Sequence, residues 1–158
     1  MRIIAKIIAG ILGVIYLVYG LIALYNWFSS TFPIGFEPLN VFLTLNVPGD
    51  IGYSIALITI GSILTLSLVS HSSEVQSLSA LTVGTFLALA LFILHILVIL
   101  ANIADVLILK SVGEEAEFNI LSELQKIEFY GGLISLVLLY FVLKELSSKG
   151  LARMFRRK

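Results

Sequence analysis

Apolar residues gather into four long stretches along this chain, separated by polar links of unequal length. The stretches cover about residues 3–27, 51–70, 82–109 and 127–143. Crossing a bilayer's hydrocarbon core takes roughly 20 predominantly apolar residues in a helix. The pattern therefore predicts an all-α, polytopic membrane protein: one domain, a bundle of four transmembrane helices, outer loops at 29–50 and 110–126, and a tail at 144–158. Arg2 and Lys6 open the first stretch as they would a signal peptide, but it is too long for one and no small-residue cleavage site follows. It reads as a retained helix.

Finer periodicity marks the faces. Ala9, Gly13, Tyr16, Gly20 and Ala23 recur at steps of four, three, four and three, a seam where a second backbone can approach closely. Tyr25 and Trp27 close the span as an interfacial anchor. On the third stretch Thr85, Ala88, Phe92, His95, Ile99 and Asn102 share one face, and on the fourth Glu128, Gly131 or Gly132, and Ser135 do the same. Thr59, Ser62 and Thr65 sit at helical spacing in the second stretch, where hydroxyls usually bond the preceding turn's carbonyl.

The links differ in kind. Residues 29–50 hold all three prolines and no Lys or Arg. Within them Leu39–Val47 is too short to span, and two forms fit it: a short interfacial helix opened by Glu37-Pro38, or an irregular apolar loop packed on the bundle. Asp50, after Pro48-Gly49, has the place of a helix cap. Phe118, Leu121, Leu124 and Ile127 recur every third residue, predicting an acidic helix continuous with the fourth span. Ser122 and Gln125 have capping-box spacing, an alternative start.

Composition agrees with the pattern. Of 158 residues 59% are hydrophobic and 13% charged, with a mean hydropathy of +1.07, against roughly 25% charged in a soluble domain. Cysteine is absent, which removes disulfides, thiolate metal sites, iron–sulfur clusters and cysteine nucleophiles. Net charge is zero, but its distribution is not even. Arg2 and Lys6 precede the first span, and Lys144, Lys149, Arg153, Arg156, Arg157 and Lys158 follow the fourth. The two outer loops hold only Lys110 and Lys126, beside Glu114, Glu115, Glu117 and Glu123. Cations favour the cytoplasmic side, so both termini are expected there, in a cell (plasma) membrane, as an even number of spans requires. Leu151, Met154 and Phe155 interleave with Arg153, Arg156, Arg157 and Lys158, a pattern suited to anionic lipid headgroups. Nucleic acid is not an expected partner.

Ionisable groups inside a membrane are costly, so they are the candidates for chemistry. At 1.5 Å per residue His95 lies about 20 Å above Thr82, and Glu128 about 24 Å above Lys144. The two can thus reach similar depth on inward faces of consecutive spans, with Asn102 and Asp105 above them. Each has a plainer reading: His95 as a neutral helix bridge, Glu128 as an acid in a helix's first turn, Asp105 as an interfacial partner of Lys110. His71 lies at the cytoplasmic surface and His95 past mid-membrane, which disfavours a bis-histidine haem within one chain. No metal site is expected, and no phosphate loop, H-E-x-x-H or G-x-S-x-G occurs.

The run Gly13-Val14-Ile15-Tyr16-Leu17-Val18-Tyr19-Gly20, with Arg2 before it and Leu24 after, resembles the first helix of DoxX-type proteins. Those are small four-helix membrane proteins, and the DoxD relatives belong to a thiosulfate:quinone oxidoreductase. The resemblance covers about a quarter of the chain and implies four helices and a redox setting. The family's lysine after the second glycine is replaced here by Leu24-Tyr25, and span two carries hydroxyls where the family has an acid, so no site residue is carried over.

Small-residue seams, few polar spanning residues and short loops point first to a non-catalytic accessory or structural subunit of a larger membrane complex, a respiratory one among the settings. Its expected partners are lipid and other integral membrane subunits, with no resident cofactor. A quinone-linked redox subunit using His95 and Glu128, with quinone as ligand, is the second expectation. A small proton-coupled carrier or channel is the third.

Overall fold

The computed structural model describes residues 2–32, 39, 47–69, 74–113, 119–124 and 126–156. They form five helices: α1 (Arg2–Thr31), α2 (Ile51–Val69), α3 (Glu74–Val112), α4 (Ile120–Leu124) and α5 (Ile127–Arg156). No strand occurs among the described residues. Helices α1, α2, α3 and α5 are each long and apolar enough to cross a membrane, and together they make a four-helix bundle. Within that bundle α1 packs mainly on α2, α2 on α3, and α3 on α5, while α1 and α5 meet more sparsely.

Close packing of α1 on α2 follows from the small residues. An added Cβ at Gly13 would stand 2.8 Å from the Thr65 nitrogen and 2.9 Å from the Gly61 carbonyl oxygen. At Gly61 it would stand 2.7 Å from the Gly13 oxygen and the Leu17 nitrogen. The two backbones are in direct contact there. Ala9, Tyr16 and Ala23, the rest of the seam with Gly20, are fully buried. The Thr65 hydroxyl donates to the Gly61 carbonyl at 2.8 Å, as hydroxyls at helical spacing do.

Helix ends are set by local chemistry. Asp50 caps α2, its Oδ1 accepting from the Tyr53 N–H at 2.7 Å. The Ser77 hydroxyl donates to the Ser67 carbonyl at 2.7 Å, satisfying an orphan acceptor in the last turn of α2 and clamping α3 beside it. Gly113, at φ 88°, ends α3 in the left-handed conformation that glycine adopts without strain.

Three boundaries depart from the hydropathy pattern. Helix α3 starts at Glu74, eight residues before the apolar stretch, because residues 74–81 contain no glycine or proline and an acid stands in the first turn. Helix α5 runs on to Arg156, past the apolar stretch ending near 143. Hydropathy marks where lipid ends, not where a helix does. The segment before α5 is not continuous with it. The Glu123 carbonyl accepts from the Lys126 N–H at 3.2 Å and contacts His95 Nε2 at 3.1 Å, so the chain turns and leaves α4 a separate short helix. The Lys126 ammonium, 2.6 Å from Glu123 Oε2, sits across that turn.

The interfacial-helix question over Leu39–Val47 lies outside the described residues, apart from Leu39 and Val47 themselves. So do His71, Glu114, Glu115, Glu117, Phe118, Gln125, Arg157 and Lys158, and the side chains of Arg153 and Arg156.

Relative heights in the bundle are fixed by glycine contacts. Gly84 of α3 lies against Ile63 and Leu64 of α2, twelve or so residues from the start of α2. Helix α2 therefore runs out about level with residue 96 of α3 at equal rise per residue. Gly132 of α5 lies against Phe92, which puts the start of α5 about level with residue 97 on the same rise. Helix α3 continues to Val112, about 23 Å past the level of the starts of α2 and α5. Nothing from Leu100 to Val112 is buried.

Candidate functional site

His95 and Glu128 are both buried, at 7% and 6% exposure, on neighbouring helices. They have different neighbours. His95 Nε2 stands 3.1 Å from the Glu123 carbonyl oxygen. A carbonyl only accepts, so Nε2 carries the hydrogen, and the ring fastens α4 to α3. Replacing His95 by alanine leaves that carbonyl with only the Lys126 N–H, removes the link between α3 and α4, and is expected to cost about 1 kcal/mol. Trypsin should then cut faster after Lys126, with partial recovery in His95→Gln. Unchanged cleavage in the alanine variant would remove the bridging role.

Glu128 is the centre of a second cluster, which the sequence reading did not single out. Tyr53, in the first turn of α2, stands close enough to Glu128 for the two side chains to interact electrostatically. Tyr16 of α1, fully buried, lays its phenol against Gly131, one turn along α5 from Glu128. Tyr19, 8% exposed, adds a third ring near enough to interact electrostatically with Tyr53. Three helices thus bring one carboxyl and three phenols together inside the bundle. Two of these polar atoms, Glu128 Oε2 and Tyr16 Oη, are buried without a hydrogen-bond partner. Buried polar groups are satisfied in the great majority of cases, so two unsatisfied atoms in one cluster are unusual for a packed core.

A signal for this cluster was present in the chain. Tyr53 and Glu128 both lie in the first turn of spans that enter from the same side, and Tyr16 and Tyr19 share a helix face. Tyr16 reads from the sequence as part of the packing seam, and nothing there joins it to Tyr53 and Glu128.

The remaining candidates are dispersed. Asn102 is half-buried and Asp105 exposed, both on the projecting arm of α3. Ala88, Gly131, Gly132 and Ser135 are buried. Gly131 meets Tyr16 and Gly132 meets Phe92, so adjacent glycines serve α1 and α3 in turn. The Ser135 hydroxyl bonds back to the Gly131 carbonyl at 2.8 Å. No group of three or more His, Asp or Glu able to hold a metal ion occurs among the described residues.

Asn26 is a further buried polar residue that the pattern missed, concealed between Tyr25 and Trp27. Its Nδ2 donates to the Leu39 carbonyl at 3.1 Å and to the Val47 carbonyl at 3.0 Å. Its Oδ1 accepts from the Leu39 N–H at 2.8 Å. This is a clasp on the first loop, with no sign of chemistry.

Four apolar helices around a small buried polar cluster define an integral α-helical membrane protein. Residues 1–145 match the family described as MJ0565 integral membrane domain, and the chain belongs to that family. No curated protein and no solved structure matches it.

Proposed function

We propose that this protein is a non-catalytic subunit of a larger integral membrane complex, held in the cell membrane with both termini cytoplasmic. The observation that carries the reading is the arm of α3. A helix of 19 residues such as α2 already spans about 28 Å, close to the thickness of the hydrocarbon core, roughly 30 Å. The arm rises about 23 Å further and still presents Leu100, Leu107, Ile108 and Val112, the last 75% exposed. An apolar helix beyond the lipid is stable when another chain covers it. The partner this favours is an integral membrane subunit offering an apolar groove at that height, with Asn102 and Asp105 available to its polar groups. The cation-rich ends, Arg2 and Lys6 with Lys144 and the tail, support the orientation.

Purification from native membranes in mild detergent tests it. A second integral membrane protein is expected at fixed stoichiometry, and Leu107→Glu with Ile108→Glu is expected to release it. Both side chains are more than 60% exposed, so the double variant should stay folded, within about 0.5 kcal/mol per site. A wild-type protein that purifies alone, or a double variant that keeps its partner, overturns the proposal.

A further inference from the structure

Helix α3 turns one face inward, with Leu81, Ala88, His95 and Ile99 buried. Its opposite face carries a second pattern, exposed along its whole length. From Leu87 a line of exposed residues runs through Ala90, Leu94, Leu97, Ala101 and Ala104 to Ile108, at steps of three and four in strict alternation. Val83, four residues before it, and Ser111, three after, are also exposed and extend the repeat to four heptads. The same alternation on α1 is the seam that meets α2 through Gly13 and Gly20. On α3 it faces outward. All three exposed alanines of the helix lie on this line. So small a side chain offers lipid little surface but lets a second backbone come close.

We infer that two copies of this protein pair through this face of α3, side by side and parallel. A seven-residue repeat complements itself: in a parallel pair each level of one helix meets the same level of the other. Two copies inserted the same way into one membrane are parallel already, related by a twofold axis along the membrane normal. Alanine then meets alanine at three levels and draws the backbones together, while Leu87, Leu94, Leu97 and Ile108 fill the levels between. No charged residue stands on the line, so no like charges meet across the axis. Helix pairing is signalled by apolar repeats kept over roughly three to four heptads, a length this line reaches. Counted as a flat strip about 42 Å long and about 12 Å wide, the contact covers about 1,000 Å² over both copies, the area a specific interface needs. The inference goes beyond the subunit reading and does not rest on it. Of the residues offered there to a different partner only Ile108 lies on this line, and Leu100 and Leu107 stand about a quarter turn away.

The chain has no cysteine, so a single introduced one can join two copies but cannot close a disulfide within one. The full-length protein is produced without other subunits in a bacterial host, and its isolated membranes are oxidised. Leu97 and Leu100 are the decisive pair, because both are 55% exposed and only Leu97 is on the line. Leu97→Cys, Ala90→Cys and Ala101→Cys are each expected to give about tenfold more disulfide dimer than Leu100→Cys or Leu107→Cys, since a disulfide needs Cβ atoms about 4 Å apart. Ala101→Phe added to Leu97→Cys should lower its dimer about tenfold by holding the backbones apart. All these side chains are exposed in the single chain, so the substitutions leave the fold intact. Equal dimer from Leu97→Cys and Leu100→Cys, no dimer from any variant on the line, or a Leu97→Cys dimer undiminished by Ala101→Phe overturns the inference. Absence of a different subunit from native preparations would count against the subunit reading and leave this result standing.

Discussion

Gly61→Val is expected to separate α1 from α2 and to cost about 3 kcal/mol of stability, the upper part of the range for overpacking a tight core. The reason lies in what the new side chain would meet. Its Cβ alone would stand 2.7 Å from the Gly13 oxygen and 2.7 Å from the Leu17 nitrogen. Those are main-chain atoms of a regular helix and have no rotamer to change. Relief requires moving α1 as a body, which withdraws Gly13 from Thr65 and Gly20 from Ile58 as well. In lipid, helices gain little by hiding apolar surface from one another and depend on close van der Waals packing, so lost proximity is not offset. Thermal unfolding in detergent measures the effect, with Gly52→Ala as control. The added Cβ at Gly52 would meet only Asp50 Oδ1, at 3.3 Å. Similar melting of Gly61→Val and the control would remove backbone contact as the basis of this interface.

How much of this was legible in the chain depends on how local the cause is. Four spans, the α1 seam, the Asp50 cap and the back-bonding of Thr65 each follow from residues within a turn or two of one another. Helix lengths did not follow, because α3 and α5 outrun their apolar stretches through polar segments that contain no proline. His95 shows a different limit. Its depth and inward face could be read, but its partner is the carbonyl of Glu123, and a backbone acceptor is written in no letter of the sequence. Glu128 was legible as a buried candidate at a depth similar to that of His95, but its phenol neighbours were not. The structure gives it Tyr53, contributed by a helix some 75 residues earlier in the chain, and the phenols became visible as a group only once three helices were set side by side.

Asn26→Ala is expected to cost about 2–3 kcal/mol and to release the first loop while the four spans persist. The asparagine amide serves the carbonyls of Leu39 and Val47 and the N–H of Leu39, and alanine leaves all three without their partner. An abandoned buried polar group costs roughly 1–3 kcal/mol. The bond to Val47 is buried and the two to Leu39 are partly buried, so water can repair part of the loss at Leu39 and the total stays below the simple sum. The same point of α1 receives the returning chain: a Cβ on Gly49 would stand 2.9 Å from the Asn26 carbonyl carbon, so the loop is clasped where its backbone already touches the helix. The chemistry fixes an order among variants. Asn26→Asp keeps the acceptor for Leu39 but turns a second oxygen towards two carbonyls, so it should be at least as harmful as alanine, although aspartate is nearly the same shape. Limited proteolysis within 33–46 reads the release of the loop, and thermal unfolding in detergent reads the cost. If the aspartate variant matches wild type in both, then shape and not hydrogen bonding holds the loop to α1.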